Sequence, residues 1–179
     1  METVHDPHDP HDFAWFNSLA PDAARHELTK CCGSQRWSTA VEAGRPYATL
    51  DELTNRAGEI WWTLDREDWL EAFRSHPKIG EKKIENAVAA QSQQWSAQEQ
   101  RGVEHASVET TGKLATLNLD YEQKFGFIFI VCATGKSSDE ILALLERRLA
   151  NDPAAELRIA AAEQAKITEL RLRKLITGS

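Results

Sequence analysis

The chain has 179 residues, of which 41% are hydrophobic and 27% charged, with a net charge of −7. That length suits one domain with a sizeable core, and the balance is that of a globular protein rather than a disordered one. The acidic balance argues against a nucleic-acid partner, which would need a basic stripe, and no run of ~18 apolar residues is present to span a membrane.

The first twelve residues, METVHDPHDPHD, form a His-Asp-Pro repeat without apolar periodicity. Its prolines deny it a helix, so residues 1–12 are read as a disordered tail and 13–179 as the folded domain. His5, His8 and His11 could hold a metal ion loosely, which keeps a metal-dependent hydrolase among the readings. The N-terminus lacks the basic and apolar regions of a signal peptide, and the ending Thr-Gly-Ser is no peroxisomal address, so a cytoplasmic protein is expected. Cys31, Cys32 and Cys132 fit that setting as buried, reduced thiols, an odd set with no zinc-ligand spacing.

From Phe13 onward the punctuation is helical. Pro21 suits the first turn of a helix running to Cys32, where Gly33 can end it. Ser34 can cap a second helix that closes at Gly44. Thr49 and Glu52 have the spacing of a capping box for a third, running to about Leu64. Asp65 opens a fourth, which stops at Ser75 because the residue before a proline leaves the helical region. Ser96 and Glu99 again have the capping-box spacing and would open another helix. Val108 to Phe125 carries Leu114, Leu117, Tyr121 and Phe125 on one face and stops at Gly126. Ser137 and Glu140 cap a helix with Ile141, Leu145 and Leu149 inward. Asp152-Pro153 starts the last and longest helix, to about Ile176. One segment resists the pattern: residues 127–133 are continuously apolar and β-prone. With no second strand to pair, they are expected to run as a buried extended segment whose amides need other partners. The fold class is therefore all-α, a single multi-helix domain.

Three side chains stand out for chemistry. His76 follows an amphipathic helix and is locked at a corner by Pro77, with Gly80 permitting a turn; it suits proton transfer, or equally a helix C-terminal cap. Glu99 is either one half of a capping box or a carboxylate at a helix N-terminus that binds polar ligands. On the last helix Leu157, Ala160, Ala161, Gln164, Thr168 and Leu175 share a face, and Arg171 falls in the middle of it. An arginine there needs a carboxylate partner, from protein or ligand, and in an acidic protein it is a natural clamp for a substrate carboxylate.

The motifs together closely resemble those of the OHCU decarboxylases. They are CCGSxRW at 31–37, HPKIG at 76–80, WSxxEQ at 95–100, YExKFGFIFIVCA at 121–133, LxNDP at 149–153 and KITxLRL at 166–172. The resemblance runs from about Phe16 to Leu175. It implies decarboxylation of 2-oxo-4-hydroxy-4-carboxy-5-ureidoimidazoline (OHCU) to (S)-allantoin in urate degradation, by an all-α homodimer without a cofactor. It matches His76 to the family's essential histidine and makes Glu99 its partner in acid–base catalysis. Pro77, Ser96, Ala97, Gln98, Gln100, Phe129, Ile130, Val131, Cys132 and Ala133 match substrate-contacting positions, and Arg171 matches the arginine for the substrate carboxylate. Lys78 takes no catalytic role, because that position varies in the family. A helical interaction module, with His76, Glu99 and Arg171 as caps and a buried ion pair, remains the alternative.

Overall fold

The computed structural model describes residues 12–79, 87–103 and 106–178. The His-Asp-Pro repeat with its possible metal site lies outside the described residues, as does Gly80. Asp12 does not belong to the tail, since its carboxylate accepts from Trp15 N–H at 2.7 Å and caps the first helix.

Among the described residues nine α-helices run in the order α1 (Phe13–Ser18), α2 (Pro21–Cys31), α3 (Gln35–Ala43), α4 (Leu50–Thr63), α5 (Arg66–Arg74), α6 (Ala87–Glu99), α7 (Val108–Phe125), α8 (Ser138–Arg148) and α9 (Pro153–Thr177), with a 3-10 turn at Arg101–Val103 after α6. Among the described residues there is no strand. None of the helices among the described residues is long and apolar enough to cross a membrane.

Local chemistry sets most of these boundaries. Ser34, Thr49, Asp65, Ser107, Ser137 and Asp152 each accept a first-turn amide with their side chains, and Gly126 and Gly178 end helices at positive φ. Asp65–Asp68 and Ser137–Glu140 form complete capping boxes. Thr49–Glu52 does not, because Glu52 reaches one residue further back, to Ala48 N–H at 2.7 Å.

The one helix whose position differs from expectation is α6. Ser96 and Glu99 lie in its last turn, not its first. The Ser-x-x-Glu spacing is therefore no capping box here, and the free backbone groups beside it are carbonyls rather than amides. The apolar spacing that marks a helix is missing from α6, because Ser96 and Glu99 are buried on the same face as Trp95.

The long helix α9 forms the centre of the fold and packs against α2, α4, α5 and α7, while α6 lies against α2. Its inward face is the expected one over most of its length: Ala160, Ala161, Gln164, Thr168, Arg171 and Leu175 are buried, while Leu157 is only half-buried. Indole N–H groups tie the helices together: Trp37 donates to Ala57 O, Trp61 to Ala161 O and Trp69 to Trp61 O. Each satisfies a polar group of a large side chain inside the core.

Residues 127–133 run without regular structure, as their lack of a partner strand requires. Side chains replace the missing ladder. Arg148 Nη1 donates to Ile130 O at 2.7 Å, Cys132 N–H donates to Glu163 Oε2 at 2.7 Å, and Lys136 Nζ donates to Cys132 O at 2.8 Å. The Arg148 guanidinium also sits 4.6 Å from the centre of the Phe129 ring.

Candidate active site

The site begins where α5 ends. Ser75 is the C-cap, and His76 N–H still donates to Phe73 O at 3.1 Å, so the imidazole rides on the last turn of the helix. Pro77 stops the helix from continuing and fixes the corner. The ring is buried, and Nε2 lies 2.6 Å from Oε1 of Gln164 on α9. Burial, and after it the positive charge of Arg171, pull the His76 pKa down to about 3 against the opposing effect of the Gln164 bond. The imidazole is therefore uncharged at neutral pH, which is the state of a base.

The facing wall is the last turn of α6. Glu99 accepts from Arg171 Nε at 2.9 Å and from Arg171 Nη2 at 3.0 Å, a bidentate pair buried on both sides. Arg171 Nη2 also donates to Ser96 Oγ at 2.8 Å, and Nη1 reaches Lys30 O at 3.4 Å. One guanidinium thus joins α9, α6 and the C-terminal turn of α2. The carboxylate partner that the inward stripe demanded is Glu99.

The extended segment supplies the third wall. Phe129, Ile130, Val131 and Ala133 meet His76, Pro77, Ser96, Glu99 and Gln100 around a narrow cleft with about 320 Å³ of empty space, its open mouth included. The cleft carries few polar side chains, set among apolar ones, so contacts made there are little screened.

Behind the cleft a carboxylate holds the extended wall. Glu163 accepts the Cys132 amide; burial opposes its ionisation, yet the bonds from Lys166 and Cys132 hold it below the usual carboxylate range. Just beyond the residues that line the cleft, backbone meets backbone directly. A Cβ on Gly102, in the 3-10 turn, would lie 2.0 Å from Lys136 O, a clash with main chain that no rotamer relieves.

Of the residues singled out in the sequence, three do not line the cleft besides Arg171, which stands behind it. Ala97 and Gln98 are on the exposed side of α6, since the same helical turn cannot present four consecutive residues to one wall. Cys132 is buried; burial raises its thiol pKa, and its amide and carbonyl are committed to Glu163 and Lys136. Sequence reasoning missed Ile79 and Ile167, which do line the cleft, and the contact of Gln164 with His76. The polar Gln164 within the apolar stripe of α9 was the available signal. Lys78 pairs with Glu122 at 2.7 Å.

Comparisons with known proteins agree on one group. The sequence profile of the OHCU decarboxylase family matches residues 17–173. A uric acid degradation bifunctional protein of Arabidopsis thaliana is 36% identical over 89% of this chain, which spans 49% of that longer protein. A 2-oxo-4-hydroxy-4-carboxy-5-ureidoimidazoline decarboxylase of Amia calva is 33% identical over 78% of this chain and 79% of its own length. A solved structure of an OHCU decarboxylase in the presence of (S)-allantoin superposes with a TM-score of 0.73 at 38% identity, covering 84% of this chain and 97% of that one.

Proposed function

The chain belongs to the OHCU decarboxylase family, lyases of urate degradation, and on that premise we propose that its cleft converts OHCU to (S)-allantoin with His76 and Glu99 as the proton-handling pair. The observation that carries this reading is the meeting of an uncharged, buried imidazole and a buried carboxylate across one small cleft.

The substrate supplies its own electron sink. The carboxyl group of OHCU is attached to a ring carbon next to the C5 imine, so the electron pair of the breaking carbon–carbon bond passes through C4–C5 to the imine nitrogen. The work of a cofactor in other decarboxylations is thereby done by the ring itself. The 4-hydroxyl then loses its proton to become the ring carbonyl, while the imine nitrogen and C5 each gain one. Solvent supplies the net proton that takes the place of carbon dioxide. His76 is suited to take up the hydroxyl proton, and with Glu99 it brings a proton to a single face of C5, which makes the product one enantiomer. General acid–base catalysis of this kind contributes roughly 10²–10⁴-fold.

The apolar residues orient the ring and exclude water from the reacting atoms. Arg171 keeps a part in the proposal as the positive charge that draws the anionic substrate, while its direct hydrogen bonds hold Glu99 and Ser96 in the wall. The same reading makes the working protein a cytoplasmic homodimer, whose assembly light scattering would measure. The test of the function is to generate OHCU in place from urate with the two preceding enzymes and follow optical activity. The chain should speed the appearance of optically active allantoin. His76→Ala should leave only slow, racemic product with an unchanged fold; stereospecific product from that variant would remove His76 from the mechanism.

A further inference from the structure

We propose that Gln164 is a positioning residue for this reaction, holding the His76 ring with its proton on Nε2 and leaving Nδ1 as the nitrogen that takes up the substrate's proton. The inference rests on the reading of His76 as the proton-handling residue and names the atom that does it.

The geometry points to this through a chain of donors and acceptors. Gln164 is fully buried in the middle of α9 and does not touch the cleft; its polar contacts are His76 on one side and Thr168 on the other. An amide can face either way, so its orientation has to be settled by the far end. There, Thr168 lies one helical turn along, with Oγ1 at 3.1 Å from the Gln164 amide nitrogen, and its hydroxyl also bonds the Cys32 sulfur. Thr168 meets Gln164 as an acceptor, taking the hydrogen bond from its amide nitrogen. The amide nitrogen must then face Thr168, which turns Oε1 toward His76. A carbonyl oxygen only accepts, so the 2.6 Å contact requires the proton to sit on His76 Nε2.

A neutral imidazole has one proton, and Nδ1 is left with the lone pair. The charged groups around the ring are Arg171 of α9 and Glu99 of α6, which are paired with each other. The Arg171 charge disfavours a second proton on the resting ring, so the base is ready when substrate arrives. In the step itself the 4-hydroxyl proton goes to Nδ1, and the O–H electron pair becomes the ring carbonyl.

Three variants of the full chain test this, each with histidine labelled in 15N and read by long-range proton–nitrogen correlation. The wild type should show His76 as the Nε2–H tautomer. Gln164→Leu, apolar and of similar volume, should release the ring to a mixture of tautomers and lower kcat by roughly tenfold or more, with KM within about twofold. Gln164→Glu should keep the Nε2–H tautomer, because a carboxylate also accepts there; it keeps the test open if the leucine variant folds poorly. A wild-type ring protonated on Nδ1 would overturn the inference, as would a Gln164→Leu variant with unchanged tautomer and unchanged kcat. Full activity of His76→Ala would instead overturn the reading beneath it, and that outcome is separate from the spectra.

Discussion

Two buried arginine–glutamate pairs sit a few turns apart in this molecule, Arg148–Glu156 and Arg171–Glu99, and they differ in how fully the carboxylate is used. Glu156 is wholly buried. Its Oε1 accepts from the Tyr121 hydroxyl and from Arg148 Nε at 2.7 Å, and its Oε2 from Asn151 at 2.8 Å. Glu99 is also buried, but among the described residues it accepts from Arg171 alone, and it borders the cleft. The two pairs share their chemistry and differ in spare capacity. A saturated carboxylate joins α7, α8 and α9 and has no lone pair well placed for a newcomer. A carboxylate held by one partner keeps acceptor sites directed at the cleft. Burial of a charge is thus no mark of function by itself; unspent hydrogen-bonding capacity beside a cavity is.

That contrast sets the variants worth making. The largest effect is expected from Glu99→Gln, which should lower turnover by roughly 10²–10⁴-fold while the far-ultraviolet circular dichroism stays that of a helical protein. Glu156→Gln is its control, and turnover per folded molecule should stay within a few-fold of wild type. If the two variants lose activity alike, the distinction between a saturated and an unsaturated carboxylate has no catalytic meaning.

Stability should rank the pairs the other way. Arg148→Ala leaves Glu156 as a buried, unpaired charge and frees the Ile130 carbonyl, so a loss of about 3–5 kcal/mol is expected in urea unfolding. A loss under about 1 kcal/mol would mean that the core pair is dispensable. Arg171→Lys keeps the charge but not the fork, and should cost about 1.5–3 kcal/mol as Glu99 and Ser96 lose a shared donor. If the substrate's carboxylate also engages Arg171, binding of a carboxylate-bearing analogue should weaken more than that of an allantoin-like ligand lacking it. Equal changes for both ligands would confine Arg171 to holding the wall.

The last effect is a slope, small at any one pH step. The folded His76 has a pKa lowered to about 3, so between that value and its ordinary 6.5 the unfolded chain binds a proton that the folded chain does not. Stability from this group is fully present above about pH 6.5 and is lost as pH falls, by about 1.4 kcal/mol per pH unit. Urea midpoints from pH 7 to pH 4 should therefore fall less steeply for His76→Asn than for wild type. Parallel curves would show a ring free to take up a proton in the fold.

The same two pairs show what a sequence discloses. Helix ends such as Ser34, Asp65, Ser137 and Asp152 were legible because a cap is a bond between a side chain and an amide two or three residues away. Arg171 was legible because helical geometry alone sets it among apolar neighbours. Arg148 and Glu156 were not: a basic residue in a last turn and an acidic one in a first turn are ordinary partners of the helix dipole, and nothing nearby tells that they turn inward. Helix α6 was missed for a related reason. Its buried face carries Ser96 and Glu99, the polar residues of the site, so the apolar rhythm that reveals a helix is interrupted where function needs it to be. The spacing of those two residues then imitated a helix start. The pairing of His76 with Gln164, across 88 positions of sequence, lay beyond any local rule.

At Gly102 the backbone after α6 rests on the Lys136 carbonyl without room for a side chain. At this one contact the spacing of the two segments is a main-chain dimension, independent of side-chain choice. For an engineer this recommends Phe129, Val131 and Ile167 as positions at which to retune recognition of other small ring anions while leaving position 102 untouched.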